Sequence, residues 1–229
     1  MHGAEPRRAE FEALPTQYRG LIVDWGGVLT GNMRDAVRRW ADADGVDLPA
    51  YIEVMRQWLG DEGAIEARLN PVHALERGEL EVPHFEERLA EDLSRRIGTP
   101  IDSVGLLQRM FVHFEHAHDM TGLVRRVHDR GMTTALLSNS WGNHYPEHLW
   151  DGMFDVTVIS GEVGMRKPEE RIFRYTFDQV GLPPEQCIFI DDLEHNIRAA
   201  AALGMPGILH VDYDTTVMEL SALLDVDLA

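Results

Sequence analysis

Lysine is almost missing from this 229-residue chain: of its 21 basic residues 20 are arginine, and the one lysine is Lys167. Cysteine is equally scarce. Cys187 alone excludes an internal disulfide and is expected to be a small buried apolar residue in a reducing compartment. No segment approaches the ~20 consecutive apolar residues of a spanning helix. Nor does the N-terminus carry the long apolar core of a secretory signal, so a cytoplasmic location is expected. Positive charge is outnumbered throughout, with a net charge of −18. That balance leaves no basic face for nucleic acid or an anionic membrane, and neither is expected as a partner. An anionic ligand would have to be met by positive charge concentrated at its own site.

What the chain does have is apolar material, 44% of its residues, enough for a sizeable core. Five short apolar runs lack alternation and are bounded by turn residues, which marks buried parallel strands: Gly20 to Asp24, Thr133 to Ser138, Phe154 to Ser160, Cys187 to Asp191 and Pro206 to Val211. Helical spacing lies between the later ones, over Thr121 to Arg130, Pro168 to Val180 and Glu194 to Leu203. This alternation predicts an α/β fold, a three-layer Rossmann-like parallel sheet. Residues 33–118 show no strand pattern. Their helical segments, Arg34 to Asp42, Ala50 to Leu59, Pro71 to Arg77, Pro83 to Arg96 and Ile101 to Phe114, predict an inserted α-helical cap too long for an ordinary connection. The expected organisation is a flexible tail over 1–17, a core over 18–32 and 119–229, and the cap over 33–118.

In an open parallel sheet ligands bind beyond the carboxyl ends of the strands. Those ends carry Asp24-Trp25-Gly26-Gly27, Ser138-Asn139-Ser140 and Asp191-Asp192, and Lys167 follows the third strand. A point-charged ammonium kept where arginine is otherwise universal suits a position between closely spaced oxyanions. The plainer readings are helix caps for the aspartates, a turn for Ser138-Asn139 and a solvated charge for Lys167; their joint occurrence at one rim argues against them.

The motifs DWGGVL (Asp24 to Leu29), LLSNS (Leu136 to Ser140), GMRKP (Gly164 to Pro168) and IDDLEHN (Ile190 to Asn196) resemble those of the haloacid dehalogenase superfamily. The run Leu75 to Leu80 and the helical insert resemble its subfamily with a cap between the first two motifs. The Asp-Asp-x-x-x-Asn ending is similar to a branch with sugar-phosphate phosphatases and the phosphatase domain of soluble epoxide hydrolases. The resemblance implies a Mg²⁺-dependent phosphatase of small phosphorylated metabolites. It makes Asp24 the nucleophile, with magnesium held by Asp24, the Gly26 carbonyl and Asp192, and Asp191 nearby. Ser138 and the Asn139 amide would bind the phosphoryl group, Lys167 would neutralise charge on it and on Asp24, and Asn196 would orient Asp191 and Asp192.

One position departs from the pattern. A second aspartate, the usual acid/base, is expected two residues after the nucleophile, and here stands Gly26. Three explanations are open: a good leaving group such as an anomeric or acyl phosphate, a substitute side chain from the cap, or a weak or lapsed enzyme. Two other function classes therefore stay open, a dehalogenase attacking carbon through Asp24 and a noncatalytic binding protein on the same scaffold. His113, His116 and His118 are read as a cap–core hinge, exposed or near the substrate mouth, because they lack a carboxylate-rich partner for a transition metal. His144, His148 and Trp141 are read as surface and packing, Trp25 as packing, and Met55 and Trp58 as cap core. A homodimer through a cap helix face is left open.

Overall fold

A computed structural model of the chain describes residues 17–59, 70–142 and 145–228. All but Gln17 of the expected tail, and His144, lie outside them. The five apolar runs form one parallel sheet in the order β3-β2-β1-β4-β5, where β1 is Gly20–Val23, β2 Thr133–Ser138, β3 Val156–Ile159, β4 Cys187–Asp191 and β5 Gly207–Leu209. β1 is the central strand. Gly20 lies opposite Thr133 on one side and Cys187 on the other, and Val23 lies opposite Leu136 and Ile190. Successive side chains of a strand point to opposite faces, and the core divides accordingly. Leu21 and Val23 join one buried cluster with Leu136, Ile188 and Ile190, whereas Ile22 joins another with Ala135, Leu137 and Phe189. Both faces are covered, which is why these strands read as unbroken apolar runs.

Among the described residues, β1 is followed by α1 Met33–Asp44, α2 Leu48–Leu59, α3 Pro71–Glu76, α4 Val82–Ile97 and α5 Leu106–Phe111, all ahead of the helix that leads into β2. Asn32 starts α1 by accepting from the amides of Arg34 (2.9 Å) and Asp35 (3.4 Å), and Asn70 starts α3 in the same way ahead of Pro71. These helices build a core of their own around Trp40, Phe85, Leu89, Leu93, Leu106 and Leu107, with Met55 buried and Trp58 packed against it. The remaining helices are α6 His118–Asp129, α7 Ser160–Val163, α8 Glu170–Val180, α9 Glu194–Ala202 and α10 Tyr213–Leu224. The sheet and its flanking helices form the expected Rossmann-like α/β core.

Two expected elements differ, and one helix was not expected. The segment Ile101 to Phe114 is helical only over α5, because Asp102 turns the chain by accepting the Val104 amide at 3.0 Å and Gly105 adopts a left-handed φ of 67°. Pro168 does not open α8; it lies in a turn in which the Glu169 amide donates to Arg166 O at 2.9 Å, and α8 begins at Glu170. α10, whose apolar residues pack on the α6 side of the sheet, had no sequence expectation.

The segments that lead out of β1 and back toward α6 run antiparallel beside each other. The Gly31 amide donates to Glu115 O at 2.8 Å and the Ala117 amide to Leu29 O at 3.0 Å, with Thr30 bridging His116. No helix among the described residues is long and apolar enough to cross a membrane.

Candidate active site

The carboxyl edge of the sheet gathers side chains from four segments. Asp24 directly follows β1, and its amide donates to Ile190 O at 2.9 Å, tying it to β4. Asp191 ends β4 and Asp192 follows it. Lys167 reaches this edge from the connection before α8 and is wholly buried. Its Nζ lies 2.7 Å from Asp191 Oδ2 and 2.9 Å from Asp24 Oδ1, with the Phe189 ring beneath at 5.5 Å. Burial would lower the Lys167 ammonium, but Asp191 and Asp24 outweigh it and hold the group above its ordinary value. Burial pushes Asp24 up to about 7 against the pull of Lys167, with Asp191 adding to the rise. Asp192 is pushed up to about 6 by burial and by Asp191.

The three aspartates offer carboxylate oxygens within 4.8 Å of one another. Three negative charges against the single Lys167 ammonium leave two uncompensated, and hard oxygen donors in that number suit a divalent cation such as magnesium. Gly27 makes the approach possible. Its φ is 77°, and a Cβ there would stand 2.3 Å from Asp192 Oδ2. Asp191 is already engaged, since Oδ1 accepts from the Leu193 amide at 2.8 Å and the Asn196 side chain donates to both of its oxygens, at 3.0 and 3.1 Å. Asn196 Oδ1 itself is buried and without a partner. Asp24 and Asp192 are thus the carboxylates better placed to hold an ion, with Asp191 supporting Lys167.

Asn139 takes a part that its residue type did not announce. Its side chain grips the Lys167 backbone in both directions, accepting from the amide at 2.8 Å and donating to the carbonyl at 3.0 Å. Ser138, at the end of β2, accepts a hydrogen bond from the Tyr145 hydroxyl at 2.9 Å. Burial pushes that phenol up to about 12, so it stays a donor. Tyr145 was not singled out in the sequence; it stands outside any periodic pattern and reaches Ser138 only through the fold. Its ring packs edge-on against Trp25 at 5.1 Å, which gives Trp25 the packing role expected of it.

Above the carboxylates opens a cavity of about 390 Å³. Gly26 lines it, and a Cβ on Gly26 would meet Met33 Sδ at 3.2 Å. The place of the missing carboxyl therefore faces a thioether. His195 also lines the cavity, one residue before Asn196, whereas His113, His116 and His118 do not. Among the described residues these three histidines form no metal grouping; His116 sits instead in the crossing beside Thr30.

Glu76 is a further residue that the sequence did not single out, although it falls within the noted run Leu75 to Leu80. It is buried, pairs with Arg166 through Oε2 and accepts from Trp141 Nε1 at 3.1 Å through Oε1. Next to it Arg77 meets Glu169 at 3.3 Å. Gly78, at φ 67°, lets the chain pass so close to Gly161 that a Cβ would stand 2.4 Å from its carbonyl oxygen. The helical layer is thus docked on the segment carrying Lys167.

Known proteins share this arrangement of elements. The chain is 30% identical over 219 residues to acyl-CoA dehydrogenase family member 10 of Mus musculus, covering 90% of this chain and 19% of that protein. It is 32% identical over 113 residues to the sesquiterpene phosphatase astK of Aspergillus oryzae, covering 46% of this chain and 56% of that one. The chain thus spans about a fifth and just over half of these two relatives. A HAD family enzyme of Bacteroides thetaiotaomicron, in complex with magnesium and inorganic phosphate, has the same fold with a TM-score of 0.58 at 19% identity, over 83% of this chain and 93% of that one. The family model of haloacid dehalogenase-like hydrolases matches residues 18–204, from the residue before Arg19 through the end of α9. With its strand-end aspartates, its buried lysine and this match over most of its length, the chain belongs to the haloacid dehalogenase-like hydrolases.

Proposed function

We propose that the protein is a Mg²⁺-dependent phosphatase that hydrolyses small phosphate monoesters through an aspartyl-phosphate on Asp24. The observation that carries this reading is Asp24 held by Lys167 at 2.9 Å within a carboxylate cluster two charges in excess of its lysine. The phosphatase relative and the fold neighbour bound to magnesium and phosphate support it. When bound by Asp24, Asp192 and the Gly26 carbonyl, magnesium would supply positive charge to the phosphoryl oxygens.

The residues then divide the work. Asp24 receives Lys167 and the Trp25 amide on Oδ1, the latter at 2.7 Å, so Oδ2 is the oxygen assigned to phosphorus. Lys167 favours the ionised form of that carboxylate against its burial and opposes the charge that builds on the phosphoryl group. Tyr145, by donating to Ser138 Oγ, leaves the serine proton for a phosphoryl oxygen. As the Asp24–phosphorus bond forms, the ester P–O bond breaks and the alcohol oxygen leaves. Gly26 offers it no acid, so its proton comes from water. A second water attacks the acyl phosphate, phosphate departs and the Asp24 carboxylate is restored. The helical layer over 33–118 is assigned the role of a cap that sets which esters enter.

The test is magnesium-dependent phosphate release from alkyl, aryl, anomeric and acyl phosphates, with Asp24→Asn as the blank. Release that needs both magnesium and Asp24 is the expected result; release that survives Asp24→Asn would remove Asp24 as the nucleophile. Gly26 favours a second reading, displacement of halide at carbon by the same aspartate, and halide release from 2-haloacids in the same assay decides it.

A further inference from the structure

Phosphoryl transfer requires little of the cavity beyond its base, yet its walls are strongly one-sided. Met33 and Val37 of α1, Tyr51 of α2, Met110 and Phe111 of α5, and Trp141 line it. These are apolar or aromatic, and Trp141 has its indole N–H turned to Glu76 at 3.1 Å. The cations are also spoken for. Among the described residues, the arginine and lysine that line the cavity are Arg166 and Lys167. Arg166 is paired with Glu76, and Lys167 is shared by Asp24 and Asp191.

A ligand in this cavity thus meets one polar end and a hydrophobic remainder. A second phosphate or a carboxylate on it would find no arginine or lysine that lacks a carboxylate partner. It would also approach the three carboxylates that line the cavity, Asp24, Asp192 and Glu76. Sugar hydroxyls would leave water for walls with few hydrogen-bonding atoms, an unfavourable exchange for each hydroxyl left unpaired. An alkyl or aromatic group gains from the same transfer.

We infer that the organic part of the substrate is uncharged and apolar, so that the preferred substrates are monophosphates of aliphatic or aromatic alcohols. This rests on the phosphatase reading and narrows it. The specificity comes from the α1 and α5 walls and from the way Glu76 consumes the charge of Arg166.

Alkylphosphonates test this without turnover, because their head group is constant and their P–C bond is not cleaved. Dissociation constants are measured for inorganic phosphate and for ethyl-, butyl-, hexyl- and octylphosphonate on the full chain with magnesium. Affinity is expected to rise about three- to fourfold per methylene while the chain stays within the walls. The double variant Met33→Gln, Val37→Asn is expected to cut the octyl-to-ethyl ratio about tenfold; a variant that had merely lost its fold would weaken all members alike. A flat series would overturn the inference and leave the phosphatase reading standing. So would glucose 6-phosphate or 3-phosphoglycerate competing better than octylphosphonate. Failure of inorganic phosphate and every phosphonate to bind with magnesium would remove the phosphatase reading, and this inference with it.

Discussion

Two neighbouring glycines should respond in opposite ways to the same added methyl group. Gly27→Ala forces an L residue into a φ of 77° and places its Cβ 2.3 Å from Asp192 Oδ2. The backbone term is about 1–2 kcal/mol and the overpacking about 1–3 kcal/mol, together about 2–5 kcal/mol. For a chain of this length that lowers the melting temperature by about 4–20 °C. Relief of the contact also has to displace Asp192, one of the oxygens assigned to magnesium. Gly26→Ala has no left-handed φ to sustain, and its Cβ meets only the flexible thioether of Met33 at 3.2 Å. Its stability should stay within about 1 kcal/mol of the parent. The assay is a thermal melt with and without magnesium, since a ligand at 100 times its Kd stabilises by about 2.7 kcal/mol. The parent and Gly26→Ala should show the magnesium-induced rise and Gly27→Ala should lose it. A Gly27→Ala protein that melts within about 2 °C of the parent and keeps the rise would refute both the close approach and the placement of the ion.

Lys167→Met leaves Asp24 and Asp191 buried without their ammonium; a loss of about 3–5 kcal/mol in urea unfolding and phosphate release at the Asp24→Asn blank are expected. Gly26→Asp restores the absent acid and should raise turnover of alkyl phosphates about 100-fold, with a smaller gain on 4-nitrophenyl phosphate, whose leaving group needs no proton. Equal gains on the two would show that protonation is not what the glycine costs. Asn139→Ala removes both hydrogen bonds to the Lys167 backbone and should cost about 1–3 kcal/mol; its kcat should fall more than its KM rises, which steady-state kinetics will read. Burial, with Glu185 adding, pushes the Cys187 thiol up to about 11. The folded state therefore favours the protonated thiol, a preference that adds stability below the unfolded value and is lost as pH climbs toward about 11. Iodoacetamide labelling at pH 9 should accordingly follow the unfolding rate, and prompt labelling of the folded protein would contradict its burial.

The sheet was legible because all of its strands sit between covering layers, so their apolar runs are continuous and each is closed by a turn. The polar residues at the strand ends were legible for the same reason, as departures from those runs: Asp24 after Val23, Asp191 and Asp192 after Ile190. Lys167 stood out by composition alone. What escaped notice depends on contacts that local spacing does not encode. Glu76 meets Arg166 across 90 positions, and Asn139 grips Lys167 across 28. Tyr145 is placed on Ser138 by a loop without periodicity. Gly27 carried no expectation beyond its place in the strand-end motif, and only the nearness of Asp192 gives its missing side chain a purpose. The helical span over 101–114 was overdrawn because apolar spacing continues through a stretch that Asp102 and Gly105 have already turned.

The buried lysine has one more consequence. Since the chain contains no other lysine, its sole side-chain amine lies beneath two carboxylates. Amine-reactive labels thus have a single internal target, hidden while the strand ends stay assembled. Acylation of that amine, followed by the mass of the peptide that carries Lys167, reports the opening of this one place without any substrate at all.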